Sequence, residues 1–312
     1  MRIILHLIFI PLISFLSLHT SAQKVNTPKP LRIGYSTHIN NITPENMTYA
    51  KSKGIDCIET SFGVLMNKKE RTFMLAEDEI IEKVKQAKKA ADDAGIQIWS
   101  VHMPFGEKID LSIADEGERQ QVVSLHKKIL EYCRILQPQI ILFHPSFYLG
   151  LNERNVRKNQ LIKSAKELNK YVRDIHAIMV IENMTGYKLL LPDGKRERPL
   201  CRTVEETVAI MNRMPKNIYS AIDLNHIKHP EKLIHAMGGR LKTIHVADGD
   251  GENERHYFPC SGEGENDWPL ILSALQEAGY SGPFMFESAY PDVKDLKPCY
   301  EALYNEFLAI KK

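Results

Sequence analysis

From residue 31 onward the chain alternates between short apolar runs and longer stretches in which apolar residues recur every three or four positions. The runs are rich in Ile, Val and Phe. They predict strands at 31–37, 56–62, 96–104, 139–146, 177–184, 218–225, 241–247 and 283–288. The intervening stretches predict helices, most clearly at 78–94, 118–136, 153–174, 204–214, 268–278 and 298–310. Gly54, Gly95 and Gly279 each fall where a helix must stop before the next strand. The strand runs are almost continuously apolar, the pattern of parallel strands covered on both sides. Eight such units predict an α/β fold, a single (β/α)8 barrel over residues 31–312 with its active site at the carboxyl ends of the strands. An open doubly wound sheet would carry a glycine-rich phosphate loop after its first strand. Gly34-Tyr35-Ser36-Thr37 is not one.

The residues before the barrel follow another pattern. Arg2 supplies a positive start, residues 3–18 are almost all apolar, and Thr20-Ser21-Ala22 offers small residues at a cleavage point. Residues 1–22 therefore read as a secretory signal peptide and 23–30 as a linker, which places the mature chain in the periplasm or outside the cell. The apolar run is short for a membrane span and contains Pro11, so no stable insertion is expected after cleavage. Removing residues 1–22 takes away one charge, Arg2, leaving 40 basic against 39 acidic residues where the full chain has 41 and 39. So balanced a charge gives no footprint for a polyanion, and nucleic acid is excluded as the default partner. No Cys-x-x-Cys pair exists among the five cysteines. Cys57 and Cys133 fall in apolar patterns and read as small buried hydrophobes. One bridge among Cys201, Cys260 and Cys299 is compatible with an oxidising compartment, and the sequence does not choose the pair.

Candidate chemistry concentrates where the predicted strands end. The third ends at His102, the fourth at His144, the fifth at Glu182-Asn183, the sixth at Asp223 with His226, the seventh at His245 with Asp248, and the eighth at Glu287. One strand-end histidine is ordinarily a hydrogen-bonding residue. Six successive strands ending in His, Asp or Glu on one face are different, because unpaired carboxylates would repel one another and a bound cation removes that repulsion. Mixed imidazole and carboxylate ligands suit Mn, Zn, Co or Fe better than Ca or Mg. No organic cofactor is expected. His38, Glu59 and Trp268 stand near the same face as candidates for substrate contact, Phe62 and Tyr187 as further wall residues. The connection from Asp248 to Asp267 exceeds the usual ~2–6 residues, a length that points to function. Lys195-Arg196-Glu197-Arg198 reads as a solvated charged loop.

These motifs resemble the xylose-isomerase-like barrel superfamily, which holds sugar isomerases and epimerases together with zinc-dependent apurinic endonucleases. The most specific stretch is His245-Val246-Ala247-Asp248-Gly249-Asp250-Gly251, then Glu254-Arg255-His256, Gly262-Glu263-Gly264 and Asp267-Trp268, closing with Gly279-Tyr280-Ser281-Gly282-Pro283 into Phe286-Glu287. The resemblance implies one metal held by Glu182, Asp223, His245 and Glu287, with His226 touching substrate. Its endonuclease branch implies further ligands at His102, His144, His226, Glu254 and His256, with Glu254 standing where those enzymes carry Asp. Simple ketose epimerases place Asn-Arg-Phe-Glu shortly after the first Glu. This chain has Asn183-Met184-Thr185-Gly186-Tyr187-Lys188 instead.

The chemistry implied is proton abstraction beside a carbonyl, through an enediolate that a divalent metal stabilises as a Lewis acid. Glu182 and Glu287 would take and return the proton from different sides. The expected substrate is a small exported carbohydrate, with elimination from a 3-keto-glycoside as one outcome, and homo-oligomerisation is left open. Two other readings compete: a hydrolase of phosphodiesters with two or three metals, and a carbohydrate-binding barrel without catalysis. The last should have lost a metal ligand, and every ligand type is present.

Overall fold

Eight parallel strands close on themselves in the computed structural model, which describes residues 28–185 and 195–310. They are β1 (Ile33–His38), β2 (Cys57–Ser61), β3 (Gln97–His102), β4 (Ile140–Phe143), β5 (Ile178–Glu182), β6 (Ile218–Asp223), β7 (Leu241–Val246) and β8 (Phe284–Phe286). The short β8 completes the ring by pairing with both β7 and β1. Each strand is followed by a helix: α1 (Pro44–Ser52), α2 (Glu77–Ala94), α3 (Glu116–Leu136), α4 (Arg154–Asp174), α5 (Val204–Arg213), α6 (Pro230–Met237), α7 (Trp268–Glu277) and α8 (Leu296–Ile310). This is the (β/α)8 barrel that the alternation predicts. The segment 186–194, and with it Tyr187, lies outside the described residues, as do residues 1–27. No helix among the described residues is long and apolar enough to cross a membrane.

Local signals set the helix ends. Thr43, Asp115, Thr203 and Asp267 each cap a helix by accepting a hydrogen bond from a backbone N–H three residues on. Each such cap contributes about 1 kcal/mol. Gly95 ends α2 with φ +66°, and Gly54 and Gly279 also take positive φ just past α1 and α7. The short α1 and α6 both begin with proline in the first turn, and their few residues leave a weak periodic signal. Predicted strands other than the first overrun the observed ones at the carboxyl end because the chain there leaves the ladder. His144 turns to the Glu182 carboxylate instead, and the Asn183 side chain to the Asp223 backbone.

Strand alternation divides the apolar residues into two layers. One face of each strand packs outward on the helices, with Ile141, Phe143, Ile181, Ile222, Ile244, Phe284 and Phe286 in one continuous core. The other face fills the barrel with a second cluster of Cys57, Trp99, Ile140, Leu142, Val180, Ala221 and Met285. Gly34 belongs to this interior. A Cβ there would lie 2.8 Å from both Cys57 Sγ and the Met285 methyl, so only glycine leaves room for the floor to close. Two residues beyond the floor on five of the strands come the polar ones: Cys57 leads to Glu59, Leu142 to His144, Val180 to Glu182, Ala221 to Asp223 and Met285 to Glu287. The period of the strand therefore delivers the site residues to the barrel mouth.

Cys260, in the β7–α7 loop, is bridged to Cys299 of α8. Cys57, Cys133 and Cys201 are free and buried.

Candidate metal centre

Glu182, Asp223, His245 and Glu287, from four consecutive strands, bring one ligand atom each within 4.8 Å of the others. His245 Nδ1 lies 2.8 Å from Glu182 Oε1 and 2.6 Å from Glu287 Oε2. Asp223 Oδ1 is occupied by the backbone N–H of Asn225 at 2.7 Å, which leaves Oδ2 facing the centre. Asn183 fixes that strand end, its amide donating to the Asp223 carbonyl at 3.1 Å while its side-chain oxygen accepts from the Asp223 N–H at 2.8 Å.

Two further ligand groups flank this core. On one side His102 and His144 approach Glu182. Glu182 Oε2 stands 3.1 Å from His144 Nε2 and 3.6 Å from His102 Nε2, yet it has no aligned hydrogen bond. On the other side Asp223 groups with His226 and His256. Glu254 bridges those two rings, its Oε2 lying 2.9 Å from His226 Nε2 and 3.0 Å from His256 Nε2, while Thr185 donates to its other oxygen at 2.6 Å.

These residues fit a divalent cation on two grounds. Glu182 Oε2 and Asp223 Oδ2 are buried carboxylate oxygens without a hydrogen-bond partner. Leaving such an atom unsatisfied costs about 1–3 kcal/mol or more, which a bound cation would relieve. The donors are imidazole and carboxylate, converging on shared points, the ligand types that suit first-row metals.

Charge compensation without a cation falls to the histidines. Burial pulls His245 down, but Glu287, Glu59 and Glu182 outweigh it and hold the ring well above its ordinary pKa. His102 is likewise pushed up to about 9, its contact with Glu182 overcoming burial. His226 reaches about 10 beside Asp223 and Glu254. His144 goes the other way, because burial exceeds the pull of Glu182. Burial raises Asp223, whereas Glu182 is held well below the carboxylate range, burial being outweighed by the charge of His245 and by His102 and His144. Cation binding would release protons from the imidazoles.

The long β7–α7 loop carries Glu254 and His256 into place, and Asp248 is its clasp. Asp248 Oδ1 accepts the N–H groups of Gly249 at 2.8 Å and Asn266 at 3.0 Å. Its Oδ2 accepts the Trp268 indole N–H at 2.8 Å. A Cβ on Gly264 would strike the Asp248 carboxylate, so the close approach requires glycine. Trp268 is thus buried in the clasp and lines no cavity at the centre. Glu59 is also placed away from substrate, fully buried behind His245 and hydrogen-bonded by Ser100 at 2.7 Å. Phe62 packs on Tyr132 in the core. His38 does reach the cleft, exposed and 3.2 Å from Ser61 Oγ. Arg196 and Arg198 of the charged loop pair with Glu107 and Tyr148.

Sequence reasoning missed several residues. Phe105 stacks on His144 with ring centroids 4.0 Å apart, and Phe147 and Tyr148 continue that wall. All three lie in loops, where no periodicity marks which residue turns inward.

With the geometry in place, residues 47–304 match the family model described as xylose isomerase-like TIM barrel. The chain belongs to this family. Fructoselysine 3-epimerases of Escherichia coli O157:H7 and Shigella flexneri are each 20% identical to it over 181 residues, 57% of this chain and 62% of theirs. The chain thus spans less than two thirds of the length of the curated relatives it matches. A D-tagatose 3-epimerase-like protein shares the fold with a TM-score of 0.71 at 17% identity, covering 90% of this chain and all of that one. The 3-keto-D-glucoside 4-epimerase of E. coli does so with a TM-score of 0.64 at 15% identity, covering 89% and 99%. At such identities the family member is likened to both in fold alone.

Proposed function

We propose that this family member is a divalent-metal-dependent isomerase or epimerase of a small carbohydrate, acting by proton abstraction beside a carbonyl. The observation that carries this reading is the placement of Glu182 and Glu287. Both contact His245 Nδ1 at the four-ligand core, yet they come from strands three apart around the ring. A divalent cation held there supplies Lewis-acid stabilisation of charge developing on a substrate oxygen. The two carboxylates then stand on different sides of the bound carbon, one to take a proton and one to return it. Phe105, Phe147 and Met184 line the cavity beside the centre and limit the water that reaches it. Where a leaving group sits β to the carbonyl, the same abstraction leads to elimination, the outcome that would suit a 3-keto-glycoside. The names of the relatives, all sugar 3- or 4-epimerases, support the class. Mn, Zn or Co suits the donor set.

Exchange of solvent deuterium into a keto-sugar tests the proposal. The metal-loaded chain should catalyse it and the chelated chain should not. Exchange that persists after chelation sinks the reading.

A second reading rests on the two flanking groups, His102–His144–Glu182 and Asp223–His226–His256, which offer places for two more cations. A multi-metal hydrolase of phosphodiesters would use them. Native mass spectrometry separates the two: one tightly bound ion per chain supports proton transfer, and three support hydrolysis.

Export of the chain is part of the proposal. The leader pattern at residues 1–22 and the Cys260–Cys299 bridge support it, since such bridges persist in oxidising compartments.

A further inference from the structure

Two cavities meet at the candidate metal centre. The inner one, about 310 Å³, lies between the β4 and β5 loops under Phe147 and Met184 and reaches Glu182. The outer one, about 670 Å³, opens over the ends of β1 and β2 and is lined by His38, Asn41, Ser61, Lys68 and Tyr290. They share His102, Phe105, His256 and Glu287, so the two lobes adjoin at the centre. Sites that enclose a small ligand span roughly 300–1,000 Å³. The inner lobe alone is of the size for one sugar, and the outer lobe is surplus to it.

The chemistry of the outer lobe is not neutral. Among the described residues its only lining carboxylate is Glu287, which turns toward His245. Lys68 stands on the opposite wall, half-buried, with its ammonium 4.7 Å above the Phe105 ring. Its stem runs beside Gly63 and Gly106, where an added Cβ would come within 3.5 and 3.8 Å of it. Burial lowers its pKa, and among the described residues no neighbouring charge offsets that cost. An aromatic face stabilises such a cation but satisfies none of its three donors.

Resting on the reading that the reacting sugar occupies the inner lobe, we propose that the outer lobe seats a second unit joined to that sugar, and that Lys68 receives an anionic group on it, a carboxylate or a sulfate ester. His38, Asn41 and Ser61 are placed to bond the hydroxyls of that unit. The substrate class is then an acidic glycoside or disaccharide, not a free monosaccharide.

Calorimetric titration of the metal-loaded full chain tests this with three probes: cellobiose, the same disaccharide with its non-reducing glucose oxidised to glucuronate, and the same disaccharide sulfated there. At least one acidic probe should bind about tenfold more tightly than cellobiose, and which one identifies the anion. Lys68→Met should bring that ratio close to one, and Lys68→Arg should retain most of it. The proposal is overturned if neither acidic probe is preferred, if no disaccharide binds better than glucose, or if Lys68→Met keeps the preference. Deuterium exchange is read separately. A charge preference without exchange would leave the anion site standing and remove the chemistry proposed above, and exchange without a charge preference would do the reverse.

Discussion

Glu59 Oε1 lies 2.9 Å from His245 Nε2, both side chains fully buried beneath the four-ligand core. The approach is off-line for a hydrogen bond, so the contact is chiefly Coulombic. It leaves Nδ1, the other ring nitrogen, facing Glu182 and Glu287. A carboxylate behind a ligating histidine fixes the ring and raises its basicity. Glu59→Gln should therefore weaken metal affinity by roughly 10–100-fold, the usual cost of losing such a partner. Competition with a calibrated chelator measures this. Unaltered affinity would assign Glu59 to packing alone.

Glu182→Gln and Glu287→Gln keep shape but remove the base. Each should lower turnover by about 10²–10⁴-fold, the typical contribution of a positioned acid or base. Circular dichroism should show an intact barrel. Glu182 also serves the His102–His144 group, so its variant should lose more metal than the Glu287 variant.

The Cys260–Cys299 bridge closes a chain separation of 39 residues and ties the loop bearing His256 to α8. The chain-entropy relation gives about 4 kcal/mol of stabilisation for a loop of that length. Urea unfolding of Cys299→Ser should show a loss of that order, and reducing agent should destabilise the native chain but not the variant. Equal midpoints with and without reductant would argue against the bridge.

Glu206 is held by Arg154 through two hydrogen bonds of 2.7 and 2.6 Å, and by Lys158 at 2.9 Å. Arg154 also binds the Arg198 and Pro199 carbonyls, pinning the loop that walls the inner lobe. Burial alone would raise the Glu206 pKa, but these cations bring it down to about 2. A carboxylate whose folded pKa lies below its unfolded value of about 4.3 stabilises the fold above that value and loses the effect as pH falls toward the folded pKa. Glu206→Gln should cost about 3 kcal/mol at neutral pH. Urea midpoints of variant and parent should converge as pH is lowered from about 5 toward 2. A gap that stays constant with pH would show that the ion pair contributes nothing through its charge.

The strand-end histidines and carboxylates could be read in advance because strand period is a local property. Once eight parallel strands are assigned, residues two beyond the barrel floor must face its mouth. The same locality let the helix stops at Gly54, Gly95 and Gly279 be found. Glu59 and Trp268 show where it fails. Each was a polar or aromatic residue near the right face. Only packing set Glu59 behind His245 and closed the Trp268 indole on Asp248.

What the sequence determined by itself was the alternation of elements, the closed parallel barrel and the ligand types offered at its mouth, since each depends on neighbours in the chain. What the tertiary structure decided was which of those ligands share a point, which cysteines meet, and which loop residues wall the cleft. Those depend on distances between residues such as Glu59 and His245, 186 positions apart along the chain. Chain connectivity places no constraint on such a pair until the barrel closes.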